Sequence, residues 1–424
     1  MKEDYLHFLW KFTQFKHQNL KSTDGEPIVL YKTGFLNTDS GPDFKEARMR
    51  IGALEWAGNV EIHLRSSDWN RHGHEKDQAY NSVILHVVWQ HDLEVYNEQG
   101  KLVPTLQLSD FADKKHLNRY RQLLASMGKI ACENYFSSVS EIKKLTMLDR
   151  ALMQRLQRKA EEVSVRLNKN LGDWEETAYQ TVAMHFGFKL NNAAFLRLAE
   201  AVPFKLVKKY SLQVESLEAL LFGMAGFLRQ SSDSYAWQLK REYDFLEKKH
   251  ELKAKGMSVS EWQFLRTRPG NFPTLRLAEL IGFLHNRPSL FDLLIETKDF
   301  KTLNRLIRQP TSAYWQQHYA FGKASATALQ GIGRNSAESL IINALVPIWV
   351  AYGKYIDSPQ FVDRAIAVLE SIPAEKNKIT RFWASQDLRI ENMSDSQGSI
   401  ELFNEFCRPK KCLDCSIGHA ILKT

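Results

Sequence analysis

The 424 residues are enough for two or three domains with a core each, and 44% hydrophobic against 25% charged residues is an ordinary balance for a soluble globular protein. A net charge of +8 and an isoelectric point near 9.1 turn the chain toward polyanionic partners. No apolar run is read as a membrane span, Met1-Lys2-Glu3-Asp4 lacks a signal-peptide pattern, and four cysteines do not make a disulfide framework in so long a chain, so a cytoplasmic protein is expected.

Lys2 to Gln18 carries Tyr5, Phe8, Leu9, Phe12 and Phe15 near helical spacing, which predicts an amphipathic opening helix. Pro27 to Tyr31 is a short β-rich run, and Gly34 to Gly41 is a polar loop leading to Pro42. Phe44 to Ile51 roughly alternates (Glu46, Arg48 and Arg50 against Ala47, Met49 and Ile51) and predicts a half-exposed strand, with a turn at Gly52. Leu54 to Leu64 predicts a second strand, with Val60, Ile62 and Leu64 on one face and Glu61 and His63 on the other. A hairpin of these two strands would bring Asp43 and Glu61 to one end of the sheet, within roughly 5 Å of each other, where they suit a divalent cation.

Ser67-Asp68 caps a segment running through Trp69, His72, His74, Asp77 and Tyr80. Ser82 to Trp89 is a buried-type strand holding His86, and Leu93 to Leu108 reads as a hairpin turning at Asn97-Glu98-Gln99-Gly100. The expected architecture is an α+β N-terminal domain over residues 1–110, a large all-α domain over 111–400, and a Cys-rich segment over 401–424. The helical patterns are Arg150 to Leu167, Glu176 to Phe186, Asn192 to Ala201, Leu217 to Leu228, Trp237 to His250, Leu275 to Leu284 and, despite Pro347, Ala337 to Tyr352.

The order Pro42-Asp43, strand, turn, strand with Glu61-Ile62-His63, helix, strand resembles the PD-(D/E)XK nuclease superfamily. The resemblance implies a restriction-endonuclease-like mixed sheet with flanking helices, Asp43 and Glu61 holding Mg2+ or Mn2+, and His63 in the place of the usual Lys that orients or activates water. His63 in that role predicts a loss of activity as it protonates near pH ~6.5. The chain is also similar, over nearly its whole length, to the bacterial family of domain of unknown function 2851. Gly41-Pro42-Asp43-Phe44, Val60-Glu61-Ile62-His63, Ser67-Asp68-Trp69, Asn271-Phe272-Pro273 and Cys412-Leu413-Asp414-Cys415 carry that resemblance, which brings almost no function with it.

His72 or His74 would approach the Glu61 end of the sheet and add imidazole ligands that manganese or zinc accepts more readily than magnesium does; His86, between Leu85 and Val87, reads as a hydrogen-bonded core residue. Cys407, Cys412, Cys415 and His419 have the spacing of a tetrahedral zinc site, with Cys132 expected to be remote. The alternative is an iron–sulfur cluster that needs Cys132; the superfamily resemblance brings it to mind, because some of those nucleases hold a cluster on one distant and three grouped cysteines. Gly331, Gly333 and Arg334, with Lys323 nearby and a short helix from Ala324 to Leu329, resemble the turn of a helix-hairpin-helix motif touching a nucleic-acid phosphate. Arg266-Thr267-Arg268 with Arg276 is a second basic patch, read rather as a solvated face.

The reading is a metal-dependent nuclease or nuclease-like phosphodiesterase acting on DNA or RNA. The rival is a non-catalytic nucleic-acid- or protein-binding module on a degenerate nuclease fold.

Overall fold

A computed structural model of the chain describes residues 2–229, 233–265 and 268–423. Two compact units are formed, one from Met1–Met147, Gln386–Leu388 and Leu402–Thr424, the other from Leu148–Ser385 and Arg389–Glu401.

The first unit is built on a mixed sheet of seven strands: β1 (Leu20–Lys21), β2 (Pro27–Lys32), β3 (Phe35–Leu36), β4 (Phe44–Ile51), β5 (Leu54–Arg65), β6 (Val83–Gln90) and β7 (Thr105–Gln107). Their order is β1-β2-β4-β5-β6-β7, with β3 also on β4. Pairing is antiparallel from β1 to β5 and parallel from β5 to β7. The alternation read in β4 is real but slips once. Phe44, Ala47, Met49 and Ile51 are buried, and the extra residue lies at Glu46, whose φ is +58°, where the register with β5 shifts. That bulge keeps Phe44 in the core.

β5 explains why the polar residues at its C-terminal half are inside. Its first residues pair with β4 alone and are exposed. From Asn59 onward it pairs with β6, while β4 ends opposite Val60, and Val60, Glu61, Ile62 and His63 are all buried. Parallel β5 and β6 need a crossover, and residues 66–82 supply it through α2 (Asp68–Arg71) and two 3-10 turns, His74–Lys76 and Gln78–Ser82. Trp69, Tyr80, Val83, Val95 and Val103 form a small core there.

The opening helix, α1, is shorter than expected, Asp4–Lys11, because Thr13 turns left-handed at φ +49°. The hairpin expected between Leu93 and Leu108 reduces to a single bridge, Tyr96 to Leu102, and β7 joins β6 in parallel instead. The unit does not close at Asp110. The helix α3 (Lys114–Ala125) covers α1, with Tyr120 stacked on Tyr5 and His116 Nδ1 2.8 Å from the Tyr5 hydroxyl. The C-terminal helix Ser416–Lys423 joins it, Arg119 donating to the Ile421 carbonyl at 3.1 Å. The apolar face of α1 needs that cover, so residues 402–424 belong to the sheet unit rather than standing apart.

The second unit is helical, as the periodicity indicates. The long helix α4 (Glu141–Lys169) runs into it, and it includes Trp174–Phe186, Asn192–Ala201, Val214–Met224, Ser234–Lys249 and Pro273–Leu284. Arg334–Leu340 continues through a π turn, Ile341–Leu345, into Val346–Tyr355; the widened turn accommodates Pro347, which has no N–H to donate. By length and composition Arg334–Tyr355 could cross a membrane, but 72% of its apolar window is buried inside the protein. The helix expected over Ala324 to Leu329 is absent: His318–Ala320 and Lys323–Ala324 form a small hairpin around Gly322 (φ +65°). Arg266 and Thr267 lie outside the described residues. Arg276 is buried and paired with Glu279 at 2.6 Å, so it offers no surface patch.

Candidate functional site

Five parts of the sheet unit deliver polar side chains to one place. Glu61 and His63 stand two residues apart on β5 and so share a face, and His86 is the register partner of Glu61 on β6. The crossover brings His72 and His74. Asp43 lies just ahead of β4, and α1 adds His7 and Glu3.

Asp43 and Glu61 are fastened reciprocally. The Asp43 amide donates to Glu61 Oε2 at 3.1 Å, and the Ile62 amide donates to Asp43 Oδ2 at 2.9 Å. Asp43 Oδ2 is also 3.2 Å from His7 Nε2, a charge contact without hydrogen-bond alignment. The other Glu61 oxygen, Oε1, faces two imidazoles, His63 Nε2 at 3.5 Å and His74 Nε2 at 3.3 Å. His63 Nε2 is 3.1 Å from His72 Nδ1, and His63 Nδ1 is 2.9 Å from His86 Nε2. One ligand nitrogen from each of His63, His72 and His74 lies within 4.8 Å of the others. His63, His74 and His86 are buried, whereas His72 is exposed and marks the solvent side. Tyr80 stacks on His74 with ring centres 3.7 Å apart, and Trp69 meets His74 edge-on and His86 at a tilt.

Burial dominates the electrostatics. It pushes His63 down to about 3, helped by the neighbouring His74 and His72, and pushes His86 well below the usual imidazole range. Against the protonation near pH 6.5 expected for His63, burial and its neighbours favour the neutral ring down to about pH 3 in the metal-free chain. Burial raises the Glu61 carboxyl, opposed by the His74 imidazole beside it. Burial and the carboxylates of Asp43, Glu61 and Asp68 lift Glu3 to about 7 against the pull of His7. In His7 burial works downward, but the contact with Asp43 wins and the imidazole is raised.

The donor set fits a transition-metal ion. A cation about 2.1 Å from each imidazole nitrogen separates neighbouring ligand atoms by roughly 3–3.5 Å; His63 Nε2 lies 3.1 Å from His72 Nδ1, Glu61 Oε1 lies 3.5 Å from His63 Nε2 and 3.3 Å from His74 Nε2, and the three imidazoles each bring a nitrogen within 4.8 Å of the others. His74 Nε2 is buried and has no hydrogen-bond partner, an orphan that a cation would satisfy. Three imidazoles and one carboxylate suit zinc or manganese better than magnesium. His63 is a member of this ring rather than a base standing off it, and His86 orients it from behind. His7 and Glu3 were missed in the sequence, although their spacing of four puts two titratable groups on one side of α1.

The remaining expectations fare differently. Cys132 is not remote: it lies within electrostatic reach of Cys407, Cys412 and Cys415. The His419 ring is held between Phe8 and Phe12, with Nε2 bonded to the Leu413 carbonyl. The helix-hairpin-helix turn does not form, since its first helix is missing. Lys323 sits in the small hairpin, Arg334 pairs with Glu338 at 2.9 Å, and Gly333 opens the helix Arg334–Leu340. Gly331 (φ +76°) is there for close packing: a Cβ would lie 2.5 Å from the Gln309 carbonyl oxygen.

The family model described as Protein of unknown function (DUF2851) matches residues 3–378. No curated protein and no solved structure matches the chain.

Proposed function

The chain belongs to that family, and from its own residues we propose that it is a metal-dependent hydrolase of phosphodiesters in nucleic acid, centred on Glu61, His63, His72 and His74. The observation that carries the reading is the aim of Glu61: Oε2 is pinned by the Asp43 amide, while Oε1 points at two imidazole nitrogens 3.3 and 3.5 Å away. A divalent cation bound there would supply Lewis acidity to a phosphoryl oxygen and to an attacking water. His86 holds the His63 ring in one orientation. Asp43 steadies both β5 and His7. In the metal-free chain burial and the Asp43 and Glu61 carboxylates hold Glu3 up at about 7, within electrostatic reach of the centre. The basic balance of the chain and the exposed Lys45, Arg48 and Arg50 of β4 favour a polyanionic substrate.

A second reading rests on the same donor count. Four ligand atoms complete a tetrahedral zinc and leave no open position, which is the habit of a structural site; the unit would then bind nucleic acid or protein without cutting it. The test is cleavage of single- and double-stranded DNA and RNA by full-length protein loaded with Mn2+ or Zn2+. Cation-dependent cleavage, lost in Glu61→Gln with the fold intact, supports hydrolysis. Binding of the metal without any cleavage supports the second reading, and cleavage undiminished by Glu61→Gln sinks the proposed centre.

A further inference from the structure

The histidine ring uses none of the four cysteines, yet all four lie in the sheet unit. Each is placed by local structure. Cys132 caps the 3-10 turn Glu133–Ser138, its carbonyl accepting from the Tyr135 amide at 2.9 Å. Cys407 closes the π turn Leu402–Cys407, and Cys412 opens the 3-10 turn Cys412–Asp414. Cys415 precedes the helix Ser416–Lys423 and accepts from the His419 amide at 2.9 Å. That helix lies so close to Cys412 that a Cβ on Gly418 would meet the Cys412 carbonyl oxygen at 2.0 Å. The C-terminal segment is tied to the chain near Cys132 by the Lys410 ammonium, which donates to the Leu124 and Ser126 carbonyls at 2.6 and 3.0 Å. The Ser416 amide reaches the Met147 sulfur at 3.4 Å.

The outcome is a convergence. Every pair among the four sulfurs is near enough for one thiolate to repel the other. Cys132, Cys412 and Cys415 are buried, Cys407 is half-buried, and no disulfide links any of them. Apolar packing would not require this residue type at all four positions. Residues 407–419 have few apolar side chains of their own, Leu413 and Ile417 chiefly, so packing alone gives the segment little hold.

We propose that Cys132, Cys407, Cys412 and Cys415 together ligate one soft-metal centre, a tetrathiolate zinc ion or an iron–sulfur cluster, that fastens the C-terminal segment to the sheet unit. His419 is not a ligand, since its Nε2 is bonded to Leu413 and its ring is wedged between Phe8 and Phe12. In the metal-free chain, burial and mutual repulsion hold Cys132 and Cys412 up at about 12, so the site keeps its protons until a cation displaces them. A single zinc draws its sulfurs to about 3.8 Å from one another.

The test uses full-length protein, purified anaerobically and analysed for zinc, iron and acid-labile sulfide. Cobalt(II) titration of the metal-free protein reads thiolate ligation separately from the histidine ring. Iron with matching sulfide, or zinc replaceable by cobalt with strong sulfur-to-cobalt absorption, supports the centre and tells its two forms apart. His419→Ala should keep that signal and Cys132→Ser should lose it. Should Cys132→Ser fail to fold, alkylation of the wild-type protein with and without bound metal still decides. Joint protection of all four thiols supports the proposal. Protection of the C-terminal three alone, or equal alkylation of all four with and without metal, overturns it, as does loss of the cobalt signal in His419→Ala.

Discussion

Asp43 and Glu61 each hold the other's strand: the Asp43 amide donates to Glu61 Oε2, and Asp43 Oδ2 accepts from the Ile62 amide, at 3.1 and 2.9 Å. The exchange locks the start of β4 to the middle of β5 and leaves Glu61 Oε1 to face the histidines. Asp43 therefore acts on the site through Glu61 and His7, and only one of the two carboxylates is turned to the imidazole ring.

His86→Ala should weaken metal binding by roughly 10–100-fold, the usual cost of removing a group that orients a ligating imidazole. The bond from His86 Nε2 to His63 Nδ1, 2.9 Å long, is the reason. Competition against a chelator measures it. An unchanged dissociation constant would show that His63 keeps its orientation without the bond from His86.

Metal-free protein should lose stability as the pH falls. His63 is pushed down to about 3 in the folded chain, against 6.5 when unfolded, so the unfolded state binds the proton first. The contribution is fully present above about pH 6.5 and drains away as the pH falls toward 3. Denaturant unfolding in the presence of a chelator, run between pH 7 and pH 4, should show a shallower decline for His63→Gln than for wild type. Parallel pH curves for the two proteins would contradict the buried, neutral assignment.

Gly223→Ala should destabilise the helical unit although alanine is the better helix former. Helix propensity offers about 1 kcal/mol in its favour. The added Cβ, however, would stand 2.1 Å from the Tyr243 ring, where the helix Val214–Met224 meets Ser234–Lys249. Overpacking of that kind costs about 1–3 kcal/mol, so the net loss is expected near 1 kcal/mol. A variant with a raised denaturation midpoint would mean that the two helices separate more easily than their packing indicates.

Glu279→Ala should cost about 3–5 kcal/mol, because it strands the buried Arg276 guanidinium without its partner. Replacing both, Arg276→Met with Glu279→Leu, should recover most of that loss. Calorimetry of the single and double variants checks it, and a double variant no better than Glu279→Ala would show that Asn271 and Phe188 do most of the holding of Arg276.

The strands around the site were legible because a strand imprints a period of two on its sequence, which β4 carries with one slip and the end of β5 carries although both of its faces are buried. Glu61 and His63 shared a face by that period alone, and the helical unit declared itself through repeats of three and four. What the local pattern could not reach is contact between residues far apart in the chain. The parallel β5–β6 pairing set His86 beside His63, the crossover curled His74 back onto Glu61, and α1 laid His7 against Asp43. Cys132 met the C-terminal cysteines for the same reason. No periodicity encodes which distant surfaces a folding chain buries together; the cover demanded by the apolar face of α1 drew in Ser416–Lys423, and with it the last three cysteines. The depressed His63 likewise follows from layers on both sides of the sheet, because desolvation depends on everything that surrounds a group and not on its neighbours in sequence.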